Sequence, residues 1–140
     1  MSAVQFPEEF ETLRVLVVDD EKEIRNLVQE ILRDMGIVRV HLAENGEMAW
    51  QRLSRTELEY DLVISDWLMP RMDGLELLKK MRQSGSETPF MMLTVKVTGE
   101  AVASAVENGV TLYVAKPFTY GDFSRKVSSL AKQIIEDKAA

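Results

Sequence analysis

Cysteine is missing from all 140 residues, which excludes disulfides, zinc–thiolate sites, iron–sulfur clusters and thiol nucleophiles together. Histidine is nearly missing too. His41 is the single one, which argues against a histidine-rich metal centre or a histidine-based triad. Positive charge is in short supply: 17 Lys and Arg against 23 Asp and Glu leave a net charge of −6 at pH 7. A nucleic-acid binder normally carries a basic patch, so no nucleic-acid partner is expected. No apolar run approaches the roughly 18 residues that a membrane span needs. The stretch from Met1 to Arg14 has no apolar segment of the kind a signal peptide requires. The expectation is a soluble, cytoplasmic single domain without a membrane partner, long enough to bury about two thirds of its unfolded surface.

What is present alternates in type. Leu13–Val18 is a nearly continuous apolar run, which suits a strand buried on both faces. Ile24, Leu27, Val28, Ile31, Leu32 and Met35 then fall on one helical stripe, and Gly36 follows as a stop. Ile37–Leu42 reads as a second strand, and Glu47–Leu53 as a short helix with Ala49, Trp50 and Leu53 inward. Leu62–Ser65 is a third strand, and Asp73 caps a helix carrying Leu75, Leu78 and Met81. Phe90–Leu93 is a fourth strand, and Glu100–Asn108 a helix on Ala101, Val102, Ala105 and Val106. Leu112–Ala115 is a fifth strand. Thr119 and Asp122 have the spacing of a capping box for a last helix with Phe123, Val127, Leu130 and Ile134 inward. Five strands alternating with five helices predict an α/β doubly wound domain, a parallel sheet covered on both faces through right-handed crossovers.

The residues that follow the strands carry the chemistry. Val17-Val18 runs into Asp19-Asp20, Ile64-Ser65 into Asp66, Met92-Leu93 into Thr94, and Val114-Ala115 into Lys116. In an open parallel sheet these positions share the carboxyl edge, where such folds bind ligands. Singly, each acid reads as a helix cap or a solvated loop residue, Thr94 as a strand end and Lys116 as a surface charge. Collectively they do not. Two carboxylates about 4 Å apart repel by about 4 kcal/mol at an effective dielectric of 20, and one lysine cannot neutralise three. The cluster therefore implies a cation. All-oxygen ligands suit a hard divalent ion, and a partly hydrated Mg2+ fits better than a Ca2+ cage. Magnesium with a lysine and a hydroxyl is equipment for a phosphoryl group. Asp66 is the best nucleophile, because a carboxylate can accept phosphate as an aspartyl phosphate.

At this point the chain resembles a response-regulator receiver domain, closest to the single-domain chemotaxis type. The segment Leu62-Val63-Ile64-Ser65-Asp66-Trp67-Leu68-Met69-Pro70-Arg71-Met72-Asp73-Gly74-Leu75-Glu76-Leu77-Leu78 is the most specific match. Val17-Val18-Asp19-Asp20, Thr94 and Tyr113-Val114-Ala115-Lys116-Pro117-Phe118 match in order and spacing. The resemblance implies a flavodoxin-like fold with strand order 2-1-3-4-5, residues 1–12 being an N-terminal extension and residues 13–140 the receiver domain. It implies that Asp66 accepts phosphate from a sensor histidine kinase or phosphotransfer protein. Asp20, Asp66 and the backbone carbonyl of Leu68 then ligate Mg2+, with Asp19 acting through a water. Lys116 pairs with the phosphoryl group, Thr94 turns its hydroxyl toward it, and Tyr113 swings inward as the switch. Lys116-Pro117 is expected to be cis. A downstream protein is expected to dock near the fourth helix, fifth strand and fifth helix. The chain ends soon after that helix, so output is expected from docking rather than from an attached effector.

Two departures from the family pattern bear on the lifetime of a phosphorylated state. Val95, followed by Lys96, stands after the threonine where a small residue is usual, and Leu68 is apolar where many relatives carry a polar residue. Two rivals remain. A Mg2+-dependent phosphohydrolase with an aspartate nucleophile normally has a second acid two residues after it, where Leu68 stands. A receiver-like module that binds partners without phosphorylation rests only on Val95 and Lys96. No enzymatic turnover beyond slow self-dephosphorylation is expected.

Overall fold

A computed structural model describes residues 5–55 and 57–140. Of the N-terminal extension, residues 1–4 lie outside the described residues. A short 3-10 helix, Glu8–Thr12, leads into β1 (Arg14–Val18), α1 (Lys22–Asp34), β2 (Arg39–Ala43), α2 (Gly46–Leu53) and β3 (Leu62–Ser65). These are followed by α3 (Gly74–Gln83), β4 (Phe90–Thr94), α4 (Gly99–Glu107), β5 (Leu112–Ala115) and α5 (Tyr120–Ala139). The five strands form one parallel sheet in the order β2-β1-β3-β4-β5. This is the doubly wound α/β arrangement expected from the alternation of strand and helix patterns.

Strand residues alternate between two cores, as the twofold side-chain period requires. Val15 and Val17, Leu62 and Ile64, and Met91 and Leu93 point to one face. There they meet Val28, Ile31 and Leu32 of α1 and Phe123, Val127 and Ala131 of α5. Leu16 and Val18, Val63, and Phe90 and Met92 point to the other, against Ala49 of α2, Leu77, Leu78 and Met81 of α3, and Ala101 and Ala105 of α4. Because β1, β3 and β4 are covered on both sides, their sequences read as unbroken apolar runs.

Several boundaries and faces differ from the sequence expectation. The second strand begins at Arg39 rather than Ile37, and Val38 is exposed. This edge strand has a ladder partner only in β1. Leu27 is 43 % exposed, since it lies about 100° of helical rotation before Val28, the centre of the α1 core face. Val106 is 62 % exposed for the same reason, about 100° beyond Ala105. Leu77, absent from the expected stripe of α3, is fully buried. Asp73 caps α3 with a full reciprocal box to Glu76. At α5 the Thr119 hydroxyl accepts from the Asp122 N–H, while the Asp122 carboxylate pairs with Arg125 and Lys126 instead.

Strand order fixes where the chemistry converges. The chain leaves β1 toward β2 on one side and meets β3 on the other, so the crevice of the fold opens at the carboxyl ends of β1 and β3. Val18 and Ser65 are ladder neighbours there. The next residues on these two strands are Asp19 and Asp66.

Candidate functional site

The backbone first sets the acids side by side. The Asp66 N–H donates to the Val18 carbonyl at 2.9 Å, and the Asp19 N–H to the Ala43 carbonyl at 3.1 Å. The ladder thus runs one residue past each strand. One carboxylate oxygen from each of Asp19, Asp20, Glu21 and Asp66 lies within 4.8 Å of the others. Asp19 and Asp66 are buried, whereas Asp20 and Glu21 are exposed at the mouth. Glu21 is the member that strand-end reasoning passed over. Its signal was adjacency, because the turn that aims Asp20 carries the next side chain along.

From β5 comes the one ammonium in contact with the acids among the described residues. Lys116 Nζ donates to Asp19 Oδ2 at 2.7 Å and to Asp66 Oδ2 at 2.9 Å. The Lys116 N–H donates to the Thr94 carbonyl at 2.9 Å, which fixes the start of its side chain beside β4. The peptide bond between Lys116 and Pro117 is cis. Burial lowers the affinity of Lys116 for its proton, but the two carboxylates outweigh it and hold its pKa above the ordinary lysine value. Burial pushes the Asp19 carboxyl above its ordinary value, with the hydrogen bonds from Lys116 and the Glu21 N–H opposing.

Asp66 has both oxygens engaged. Oδ1 accepts from the Trp67 N–H at 2.6 Å and the Leu68 N–H at 3.2 Å, while Oδ2 accepts from Lys116. Its carbonyl accepts from the Ser65 hydroxyl at 2.8 Å. Gly74 explains the tight loop that follows. A Cβ at that position would stand 2.1 Å from the Asp66 carbonyl oxygen, so the start of α3 can press against the acceptor only without a side chain.

Thr94 and Tyr113 stand at the same edge. Thr94 is fully buried, and its Oγ1 accepts from the Lys96 N–H at 3.2 Å. Tyr113 is half-buried, and its hydroxyl donates to the Lys96 carbonyl. Burial, with a smaller contribution from the Asp66 charge, raises the Tyr113 pKa above its ordinary value. Leu68 is exposed, and its described contact with Asp66 is through its N–H. His41 lies on β2, where its Nδ1 meets the Tyr60 hydroxyl at 2.6 Å, away from the acids.

One arginine missed in the sequence also belongs to this edge. Arg25 Nη1 donates to the Asp19 carbonyl at 2.7 Å, and its Nη2 lies 3.9 Å from Glu44. Nothing in its spacing marks it, because it sits on α1 among ordinary helix formers.

The donor set could hold a hard cation beside a lysine and a hydroxyl, at the switch point of a parallel sheet. Residues 15–128 match the response regulator receiver domain family. The chain is 32 % identical over 124 residues to chemotaxis protein CheY-3 of Vibrio cholerae, covering 87 % of this chain and 94 % of that one. It is 37 % identical over 109 residues to chemotaxis protein CheY1 of Helicobacter pylori, covering 76 % and 87 %. Among solved structures, the receiver domain of the Francisella response regulator 1452 superposes with a TM-score of 0.78 at 31 % identity, covering 86 % of this chain and 98 % of that one.

The chain belongs to the response regulator receiver domain family, and within it to the CheY-like kind. Among the described residues no helix is long and apolar enough to cross a membrane.

Proposed function

We propose that this chain is a phosphorylation-driven switch of two-component signalling, with Asp66 as phosphoacceptor. The observation that carries this reading is the four-carboxylate cluster bridged by Lys116. Such a site is electrostatically incomplete until a cation and a phosphoryl group join it. The donor set suits Mg2+, because all four groups are oxygen ligands and two remain open to hydration. Asp20, Asp66 and the Leu68 carbonyl would hold it, with Asp19 acting through a water. When bound, Mg2+ supplies charge neutralisation for the phosphoryl oxygens.

The chain's own residues do the rest. A carboxylate oxygen of Asp66 forms a bond to phosphorus while the bond from phosphorus to the donor's imidazole nitrogen breaks, and the leaving imidazole keeps that electron pair. The Trp67 and Leu68 N–H groups fix the carboxylate plane for in-line approach. Lys116 exchanges Asp66 Oδ2 for a phosphoryl oxygen, a charge-assisted bond of the kind that drives phosphorylation switches. Thr94 exchanges its bond with the Lys96 N–H for one to the phosphoryl group. Tyr113 then reshapes the surface of α4, β5 and α5, where a downstream protein docks.

The donor is a sensor histidine kinase or phosphotransfer protein, and the setting is the cytoplasm. Chemotaxis is the pathway that the names of the two curated relatives support. The role is that of an acceptor with at most slow self-dephosphorylation, not of a turnover enzyme. Residues 13–140 form the functional unit.

The test is incubation with Mg2+ and acetyl phosphate, read by mass. The expected result is a gain of one phosphoryl group that is lost in Asp66→Asn. An unmodified wild-type chain, under conditions that label a control receiver, would transfer the assignment to a module working without phosphorylation.

A further inference from the structure

Lys96 stands where three contacts meet. Its N–H donates to Thr94 Oγ1 at 3.2 Å, its carbonyl accepts from the Tyr113 hydroxyl, and its ammonium lies 4.3 Å from the centroid of the Trp67 ring. Trp67 is only 5 % exposed, and its own N–H donates to Asp66 Oδ1. Direct contacts therefore run from the acceptor Asp66 through Trp67 and Lys96 to Tyr113.

The loop between β4 and α4 has little else to hold it inward. Val95 and Val97, on either side of Lys96, both face solvent. Thr98 is committed to capping α4 through the Ala101 N–H. Of the three side chains at 95 to 97, only that of Lys96 reaches back to the sheet edge. A lysine loses rotamer freedom when it is held over a ring instead of solvated. The attraction of a cation for the ring quadrupole offsets that loss, and it strengthens where water is excluded.

We propose that Lys96 is a positioning residue. Its stack on Trp67 holds the loop after β4 where the residue 96 carbonyl receives the Tyr113 hydroxyl, so the tyrosine is drawn inward before any phosphoryl group arrives. The inference rests on the phosphoacceptor reading only in treating Tyr113 as the switch. Phosphorylation then acts on a population already biased toward the inward state.

The experiment uses the full chain with fluorinated tyrosine and no phosphodonor. The chain has three tyrosines, and Tyr113→Phe assigns the signal of interest. In Lys96→Met the Tyr113 signal should move toward its solvent-exposed position, with the inward-to-outward ratio falling about fivefold for the loss of one cation–ring contact. Lys96→Arg should restore it, since a guanidinium stacks on an aromatic face as well. Trp67 emission should follow the same order in a Trp50→Phe background, which is needed because Lys80 Nζ lies 5.2 Å from the Trp50 ring. Lys96→Gln serves as a second variant if Lys96→Met fails to fold. A Tyr113 signal that stays at its wild-type position in both neutral variants overturns the proposal, as does one that Lys96→Arg displaces equally. Acetyl phosphate labelling of the same samples separates the two readings. No label with an ordered Tyr113 ends the acceptor role alone, and labelling with an unmoved Tyr113 ends the positioning role alone.

Discussion

The ammonium of Lys116 lies 2.9 Å from Oδ2 of Asp66, across 50 residues of sequence, and 2.7 Å from Oδ2 of Asp19. All three side chains are more than nine-tenths buried. One positive charge thus holds two carboxylates that would otherwise face each other. Lys116→Met keeps the stem and removes the charge. Breaking a buried pair costs about 3–5 kcal/mol, and the exposed side of this cleft at Asp20 and Glu21 relieves part of that, so a loss of about 2 kcal/mol is expected. Mg2+ should then recover more stability in Lys116→Met than in wild type, because binding to the folded state alone is stabilising. Asp66→Asn should do the opposite, with unchanged or raised stability in the metal-free protein and a smaller response to Mg2+. Thermal melts with and without saturating Mg2+ decide this. Equal metal responses in all three proteins would contradict the electrostatic account.

Gly74 offers a test of how tightly the acceptor is held. Its missing side chain leaves room for the Asp66 carbonyl, which a Cβ would meet at 2.1 Å. Gly74→Ala must therefore displace the backbone of the acceptor loop or the first turn of α3. Overpacking of this kind costs about 1–3 kcal/mol or somewhat more. The expected outcome is a loss near 3 kcal/mol in denaturant melts together with slower labelling of Asp66. A variant that melts and labels like wild type would show that the loop yields freely.

The contrast between Gly74 and the acids marks how far the sequence could be read. Leu62–Ser65 and Leu112–Ala115 were legible to the residue, and Asp19, Asp66 and Lys116 could be placed together because strand ends converge by topology alone. The face of Val106 was misread, since Glu100, Ser104 and Glu107 mark only part of the solvent side of α4 and the small Ala101 and Ala105 of its core face do not stand out from Val102 and Val106. Gly74 stood in the sequence only as one letter of the segment after Asp66, and only the path of the Asp66 backbone reveals the close approach. Arg25 on Asp19 and Lys96 on Trp67 join segments whose separation in sequence carries no signal.

His41 yields a pH prediction remote from the site. Burial, with Arg52 and Arg14 nearby, lowers its pKa below the ordinary 6.5. A neutral ring with its proton on Nε2 can accept the Tyr60 hydroxyl at Nδ1, 2.6 Å away. Below about pH 6.5 the unfolded chain takes up a proton that the folded chain resists, so this contribution is complete above that pH and is lost as pH falls toward the folded value. His41→Gln keeps an acceptor without the titration. The melting temperature of wild type should therefore drop more between neutral pH and the mildly acidic range than that of His41→Gln. Parallel pH profiles would show that the ring titrates alike in both states.

Phe10 ties the segment assigned as an extension to the core. Its side chain is fully buried in the core between α1 and α5, with its ring 6.0 Å from that of Phe6 and its Cβ 3.9 Å from where a side chain on Gly36 would begin. Truncating a buried phenylalanine removes its transfer free energy and leaves a cavity, at about 3–5 kcal/mol. That loss falls on the core face of α1 and α5, whereas Trp67, next to the acceptor, packs into the opposite core. Phe10→Ala should lower the melting temperature sharply, yet label with acetyl phosphate at the wild-type rate when assayed well below its own melt. Stability and acceptor chemistry would then separate, as expected if the leading segment serves the fold while residues 13–140 carry the function. Slowed labelling in a fully folded Phe10→Ala would instead make the segment part of the working unit.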